Sequence, residues 1–209
     1  MNSRTSFHLA RQAVYDLDLR AVGYEYFYRY PAEQSQPDGT GCIGRASSAE
    51  RTAASLAVLD RLVTEEPEHQ DDDFAQFINC TREAFLALDS PSSYPKSLVF
   101  ELDGSVWDDP IGVHRIAELS AGGVRICLDD YRGTPAQNRV LPFVRFVKID
   151  YEDFVEHQED IILEARRCGS HVIIKRVPAH SDLRLVRALS PWGWQGNALS
   201  ITELVPAGR

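Results

Sequence analysis

Six short apolar runs in this chain each finish on a polar or charged group, and that repetition constrains the fold more than any other feature. They read VGYEYFYR (22–29), FAQFINCT (74–81), LVFELD (98–103), VRICLDD (124–130), RFVKID (145–150) and HVIIKR (171–176). The first five offer Glu25, Asn79, Glu101, Asp129 with Asp130, and Lys148 with Asp150. The sixth offers Lys175 and Arg176 in place of an acid. Strands that deliver oxygen donors to one rim describe a parallel barrel with its site at the C-terminal face.

Helix-like segments lie between the runs. Residues 47–66 place Ala49, Ala53, Leu56, Leu59 and Val63 on one face, with Ser47 or Ser48 as N-cap. Residues 109–121 open on Asp109-Pro110 and stop at Gly122-Gly123. Residues 152–168 carry Val155, Ile162 and Ala165, and residues 181–189 carry Leu183, Val186 and Leu189. This alternation predicts βαβ units. An open doubly wound sheet with a nucleotide site would show a glycine-rich first turn, and neither G-x-G-x-x-G nor G-x-x-x-x-G-K-[ST] is present. Donors spread over five or six strand ends favour a closed barrel. Segments 31–45 and 67–73 read as loops too short for interdomain linkers, so residues 1–209 are expected to form one domain.

Composition narrows the function classes. A net charge of −9 argues against sequence-independent binding to nucleic acid or to an anionic membrane. No apolar stretch reaches the length of a membrane span, and MNSRTSFHLARQ lacks a signal-peptide core. Cys42, Cys80, Cys127 and Cys168 are widely spaced. Cys80 and Cys127 sit inside apolar runs as expected buried thiols, and the pattern fits a reducing cytoplasm. The histidines form no H-x-x-x-H or H-E-x-x-H pattern, which disfavours zinc, and no G-x-S-x-G is present. Glu25, Asn79, Glu101 and Asp129 are hard oxygen donors suited to Mg²⁺, Mn²⁺ or Ca²⁺. Asp130 could bridge to a second ion, and paired ions suit phosphodiester hydrolysis.

The ordered set resembles the EAL domain, the bacterial family of cyclic di-GMP phosphodiesterases and their inactive relatives. LARQAVYDLDLRAVGYEYFYR (9–29) is similar to the family's opening, which ends on E-A-L-x-R, and FINCT (77–81) to its asparagine strand. VFELD (99–103) is similar to E-L-T-E, ICLDDY (126–131) to D-D-F and VKID (147–150) to K-I-D. VIIKRVP (172–178) takes the place of E-G-V-E and GWQG (193–196) that of the Q-G strand. The phrasing is closest to the EAL half of EAL–HDOD proteins. The resemblance implies an α/β fold, a TIM-like (β/α)8 barrel of the EAL type, incomplete at its C-terminus or atypical in strand order. It implies Glu25, Asn79, Glu101 and Asp129 as ligands of a first Mg²⁺ or Mn²⁺, Asp130 as the link to a second, and Lys148 as the residue orienting water. Gln12, Arg29 and Gln195 would contact the dinucleotide.

The departures from the pattern point away from hydrolysis. The signature reads Glu25-Tyr26-Phe27, Ala13 replaces a proline, and Gly104 replaces the second acid of E-L-T-E. The loop after Asp130 reads YRGTPAQN (131–138) in place of F-G-T-G-Y-S-S. Lys175 and Pro178 replace the two acids of E-G-V-E. An ammonium at a ligand position repels a second cation and is expected to pair with Asp129, Asp130 or Glu101. Two-metal chemistry needs ligands for about +4 of charge, and exchanging a glutamate for a lysine moves the balance by two units against it. Tyr26, Phe27 and Tyr28 are expected to crowd the pocket floor. Three functions follow: a degenerate domain acting through a protein partner, with a homodimer compatible; a cyclic di-GMP receptor; and a weak phosphodiesterase giving pGpG.

Overall fold

The computed structural model describes residues 8–29, 47–64, 73–157, 160–178, 183–197 and 199–205. The expectations placed on Cys42 and on segment 31–45 lie outside these residues.

Each of the six apolar runs forms a strand. They are β2 (Ala21–Arg29), β3 (Ala75–Asn79), β4 (Leu98–Leu102), β5 (Arg125–Leu128), β6 (Phe146–Asp150) and β7 (His171–Lys175), each parallel to the next. The short β8 (Gly193–Trp194) continues the parallel series beside β7. Closure comes from β1 (His8–Tyr15), which pairs antiparallel with both β2 and β8. The result is a closed eight-stranded mixed barrel. The two-residue β9 (Glu203–Leu204) adds to β1 at Ala10 and Arg11. The antiparallel first strand is the departure from an all-parallel (β/α)8 order.

The turn from β1 to β2 is built by Asp16, whose Oδ1 accepts from the amides of Asp18 and Arg20 at 2.9 Å each. Helices cover the outside of the barrel: α1 (Ser48–Thr64), α2 (Arg82–Leu86), α3 (Gly104–Trp107), α4 (Pro110–Ala121), α5 (Pro135–Val140), α6 (Tyr151–His157), α7 (Asp160–Arg167) and α8 (Leu183–Ala188). Ser47 and Glu50 make a reciprocal capping box at the start of α1. Asp109 caps α4 by accepting from Ile111 and Gly112, with Pro110 at the first helical position.

Two expectations about helix faces are corrected. The inward stripe of α1 is Val58, Leu59 and Leu62, whereas Leu56 and Val63 are exposed, because the 3.6-residue repeat was placed about one position off. The single helix expected over 152–168 is described as α6 and α7, and Phe154, not Val155, is the buried anchor of α6.

Strand alternation separates two cores. Outward side chains join the helices in one large cluster. Inward ones form a layer of Val14, Ala75, Phe77, Val99, Cys127, Phe146 and Ile173 that fills the barrel. Tyr26 belongs to the outer cluster, with Tyr28 packed against it, so neither tyrosine crowds the pocket floor. Phe77 and Phe146, in edge-to-face contact at 5.2 Å, form the floor instead. Cys80 and Cys127 are buried free thiols, as expected, and Cys168 is exposed.

Candidate functional site at the barrel mouth

The period of two fixes which residues meet above the filled layer. Two positions beyond Gly23, Phe77, Val99, Cys127, Phe146, Ile173 and Gly193 stand Glu25, Asn79, Glu101, Asp129, Lys148, Lys175 and Gln195. Gln12, two positions before Val14, joins them from the antiparallel β1, paired with Glu25. Asn79 pairs with Glu101 across β3 and β4, and Asp150 with Lys175 across β6 and β7.

At the centre, Lys148 is fully buried. Its Nζ donates to Glu25 Oε2 and Glu101 Oε2, at 2.5 Å each, and lies 4.9 Å from the centre of the Phe77 ring. Glu25 also accepts from Asn79 Nδ2 at 3.1 Å and from Gln195 Nε2 at 2.6 Å. Gln195 Nε2 donates to Gln12 Oε1 at 3.1 Å, and Gln12 Nε2 donates to the Ser200 carbonyl at 3.1 Å. Burial opposes ionisation of both acids, but the outcomes differ. For Glu25 the charge and hydrogen bond of Lys148, with the amides of Gln195 and Asn79, outweigh burial and hold the carboxyl below its ordinary value. For Glu101, burial and the neighbouring Glu25 charge win, and its carboxyl is pushed well above the ordinary range. Burial also opposes the charge on Lys148, yet Glu101 and Glu25 raise its affinity for the proton.

A second cluster sits at the ends of β5 and β7. Lys175 Nζ lies 2.5 Å from Asp129 Oδ1 and 2.6 Å from Asp130 Oδ1. Its charge is favoured by Asp129 and Asp130 against the cost of burial, and Asp130 is held below its ordinary value by Lys175, then by Arg176 and Arg132. Arg176 pairs with the buried Asp150 and lies 4.0 Å from Asp130. Asp130 and Arg176 both have positive φ, 47° and 60°, in the left-handed region that non-glycine residues enter rarely.

The neighbouring loops are fixed locally. Gln137 Oε1 accepts from Arg132 and Thr134, and its Nε2 donates to the Asp130 carbonyl at 2.9 Å. Thr134 and Gln137 form a capping box on α5, and Tyr131 donates to Asn138 at 2.8 Å. Segment 131–138 is thereby stitched to itself. Gly196 is required by packing: a Cβ there would stand 2.4 Å from the Val177 carbonyl oxygen and 2.5 Å from its nitrogen.

The expected residues Gln12, Glu25, Asn79, Glu101, Lys148 and Gln195 thus share one network, and Asp129 with Asp130 belongs to a second around Lys175. Arg29 closes β2, and its side chain lies outside the described residues. The sequence places Asp150 and Arg176 at strand ends and implies no role for them. The adjacent Lys-Arg pair in the sixth run was the available signal for them.

No family model and no curated protein matches this chain. Solved structures do. The crystal structure of the FimX EAL domain matches with a TM-score of 0.73 and 20% identity over 96% of this chain and 92% of that one. The chain has the fold of an EAL domain. The EAL enzyme Bd1971, in its cAMP- and cyclic-di-GMP-bound form, matches with a TM-score of 0.70 and 20% identity over 94% of this chain; this chain spans 62% of that protein. Bacillus subtilis YkuI, a protein with an EAL domain in complex with substrate cyclic di-GMP and calcium, matches with a TM-score of 0.68 and 17% identity over 97% of this chain and 56% of that one.

Among the described residues no group of three or more His, Cys, Asp or Glu converges as a metal site. Glu25 and Glu101 share Lys148, and Asp129 and Asp130 share Lys175. As arranged, these residues do not fit Mg²⁺, Mn²⁺ or Ca²⁺, because no three acids converge and each acid already has one oxygen on an ammonium group.

Proposed function

We propose that this chain is a degenerate member of the EAL family that does not hydrolyse cyclic di-GMP and works as a cytoplasmic bacterial signalling domain through a protein partner. The observation that carries this reading is the seat of Lys175, within 2.6 Å of both Asp129 and Asp130. Phosphodiester hydrolysis by paired metal ions needs carboxylates free to hold both ions and an activated water. Here one ammonium from within is shared by the acidic pair, and Lys148 already donates to two buried carboxylates. Loop 131–138, locked by its own capping box, adds to the departure from an active site. No described helix is long and apolar enough to cross a membrane, which agrees with a domain acting away from the bilayer.

A receptor role for cyclic di-GMP has one observation in its favour. Gln195 Oε1 is buried and accepts no hydrogen bond among the described residues, although its Nε2 is fully engaged. A ligand N–H would satisfy it. Two measurements separate the readings. Incubation with cyclic di-GMP and Mg²⁺ or Mn²⁺, followed by chromatography for pGpG, is expected to give no product above the blank; turnover by the wild-type chain would overturn the proposal. Calorimetry with cyclic di-GMP then decides the output: binding makes the chain a receptor, and no binding under any metal condition removes that role and leaves the protein partner.

A further inference from the structure

The mouth of the barrel gathers five carboxylates: Glu25, Glu101, Asp129, Asp130 and Asp150. Three cations reach them, Lys148, Lys175 and Arg176. Five against three leaves a formal excess of two negative charges, and every one of the five acids has a basic partner. The carboxylates come from β2, β4, β6 and the end of β5, and the cations from β6 and β7. The ion pairs therefore tie together strands that lie around half of the barrel.

The Lys175-Arg176 dipeptide stands out within this set. Its two side chains divide the three aspartates between them: Lys175 takes Asp129 and Asp130, and Arg176 takes Asp150 and reaches toward Asp130. Arg176 adopts its left-handed backbone at the end of β7, and Asp130 adopts the same conformation at the end of β5. A non-glycine residue holds such a conformation only where its surroundings compensate the strain. At both positions the side chain carries an ion pair of the mouth. The Asp150 side chain is 6% exposed, so without Arg176 it would be a charge buried with no counterion.

We infer that Lys175 and Arg176 are positioning residues that act as internal cations, holding the acidic ends of β5 and β6 in place so that the barrel mouth keeps its shape without any divalent metal. This rests on the reading of the chain as non-hydrolytic and extends it, from the loss of a reaction to the gain of metal independence. The physical argument is one of competition. A tethered cation has a local concentration set by its covalent connection, not by the solution. An incoming dication must first displace it from oxygens at 2.5 and 2.6 Å.

The test is thermal unfolding of the full chain in EDTA and in excess MgCl₂, MnCl₂ or CaCl₂. For the wild type the midpoint is expected to agree across all four conditions to within about 1 °C. A metal bound at about a hundredfold over its dissociation constant would raise it by about 5–10 °C in a domain of this size, and a shift of that order in the wild type would overturn the inference. In Lys175→Glu, which removes the internal cation and restores a carboxylate, Mn²⁺ or Ca²⁺ is expected to raise the midpoint by about 5 °C or more; indifference to metal would equally overturn it. If Lys175→Glu does not fold in EDTA, recovery of a cooperative transition on adding metal counts as the expected result, and its continued absence is decided by the wild-type series with Lys175→Gln, whose midpoint must fall below that of the wild type in EDTA. A wild type that is stabilised by metal yet yields no pGpG would defeat the internal-cation account while leaving the functional proposal intact.

Discussion

At the scale of single residues, the central Lys148 makes two glutamates unlike. Glu25 is held below its ordinary range after its hydrogen bonds overcome burial, so its contribution to stability is present above that range and is lost as pH falls through the lowered value. Glu101 is raised by burial and by Glu25, so the sign reverses: its contribution is present below the ordinary range and is lost as pH rises toward the raised value. Glu25→Gln is expected to cost about 2 kcal/mol at neutral pH, because Lys148 loses its ionised partner. Glu101→Gln is expected to lie within about 1 kcal/mol of wild type at neutral pH, or above it. Urea denaturation of both variants at neutral and mildly acid pH checks the pair; a larger loss from Glu101→Gln than from Glu25→Gln would refute this ordering. Both acids were legible in the sequence because each interrupts an apolar run. Their unequal affinity for the proton was not legible, since it depends on which one receives the amides of Asn79 and Gln195.

At the scale of elements, two local contacts shape the rim of the barrel. Gly196 lets the end of β8 pass against the backbone of Val177, just beyond β7. Gly196→Ala is expected to destabilise by about 2–3 kcal/mol through overpacking against backbone that has nowhere to go, measurable by chemical denaturation. On the other side of the mouth, Thr134 and Gln137 hold segment 131–138 in its own helix cap. Thr134→Ala is expected to cost about 1 kcal/mol of stability without producing any pGpG. The strands from β2 to β7 were readable because buried parallel strands are continuous apolar runs. β1 escaped recognition as a strand. Its residues Leu9, Ala10, Ala13 and Val14 are buried in pairs while Arg11 and Gln12 between them are half-buried, so the period of two is hidden. Its pairing partners lie on both sides of a barrel seam that no local pattern reveals.

At the scale of the whole molecule, an EAL-type barrel has its acidic mouth closed on itself by three of its own cations. The fold class was legible because strand ends carry chemistry in order, and the replacement of an acid by Lys175 was legible as a departure from that order. The part played by Arg176 and Asp150 was not, because their meeting depends on a left-handed turn at the end of β7. In this geometry each acid of the mouth that could serve a paired metal site has an ammonium or guanidinium group as partner. The most direct test of this account is the formation of pGpG from cyclic di-GMP by the wild-type chain in Mn²⁺ or Mg²⁺, followed by chromatography against a Glu101→Gln control. The account predicts no product above the blank for either protein. Product formed by the wild type and abolished by Glu101→Gln would contradict it.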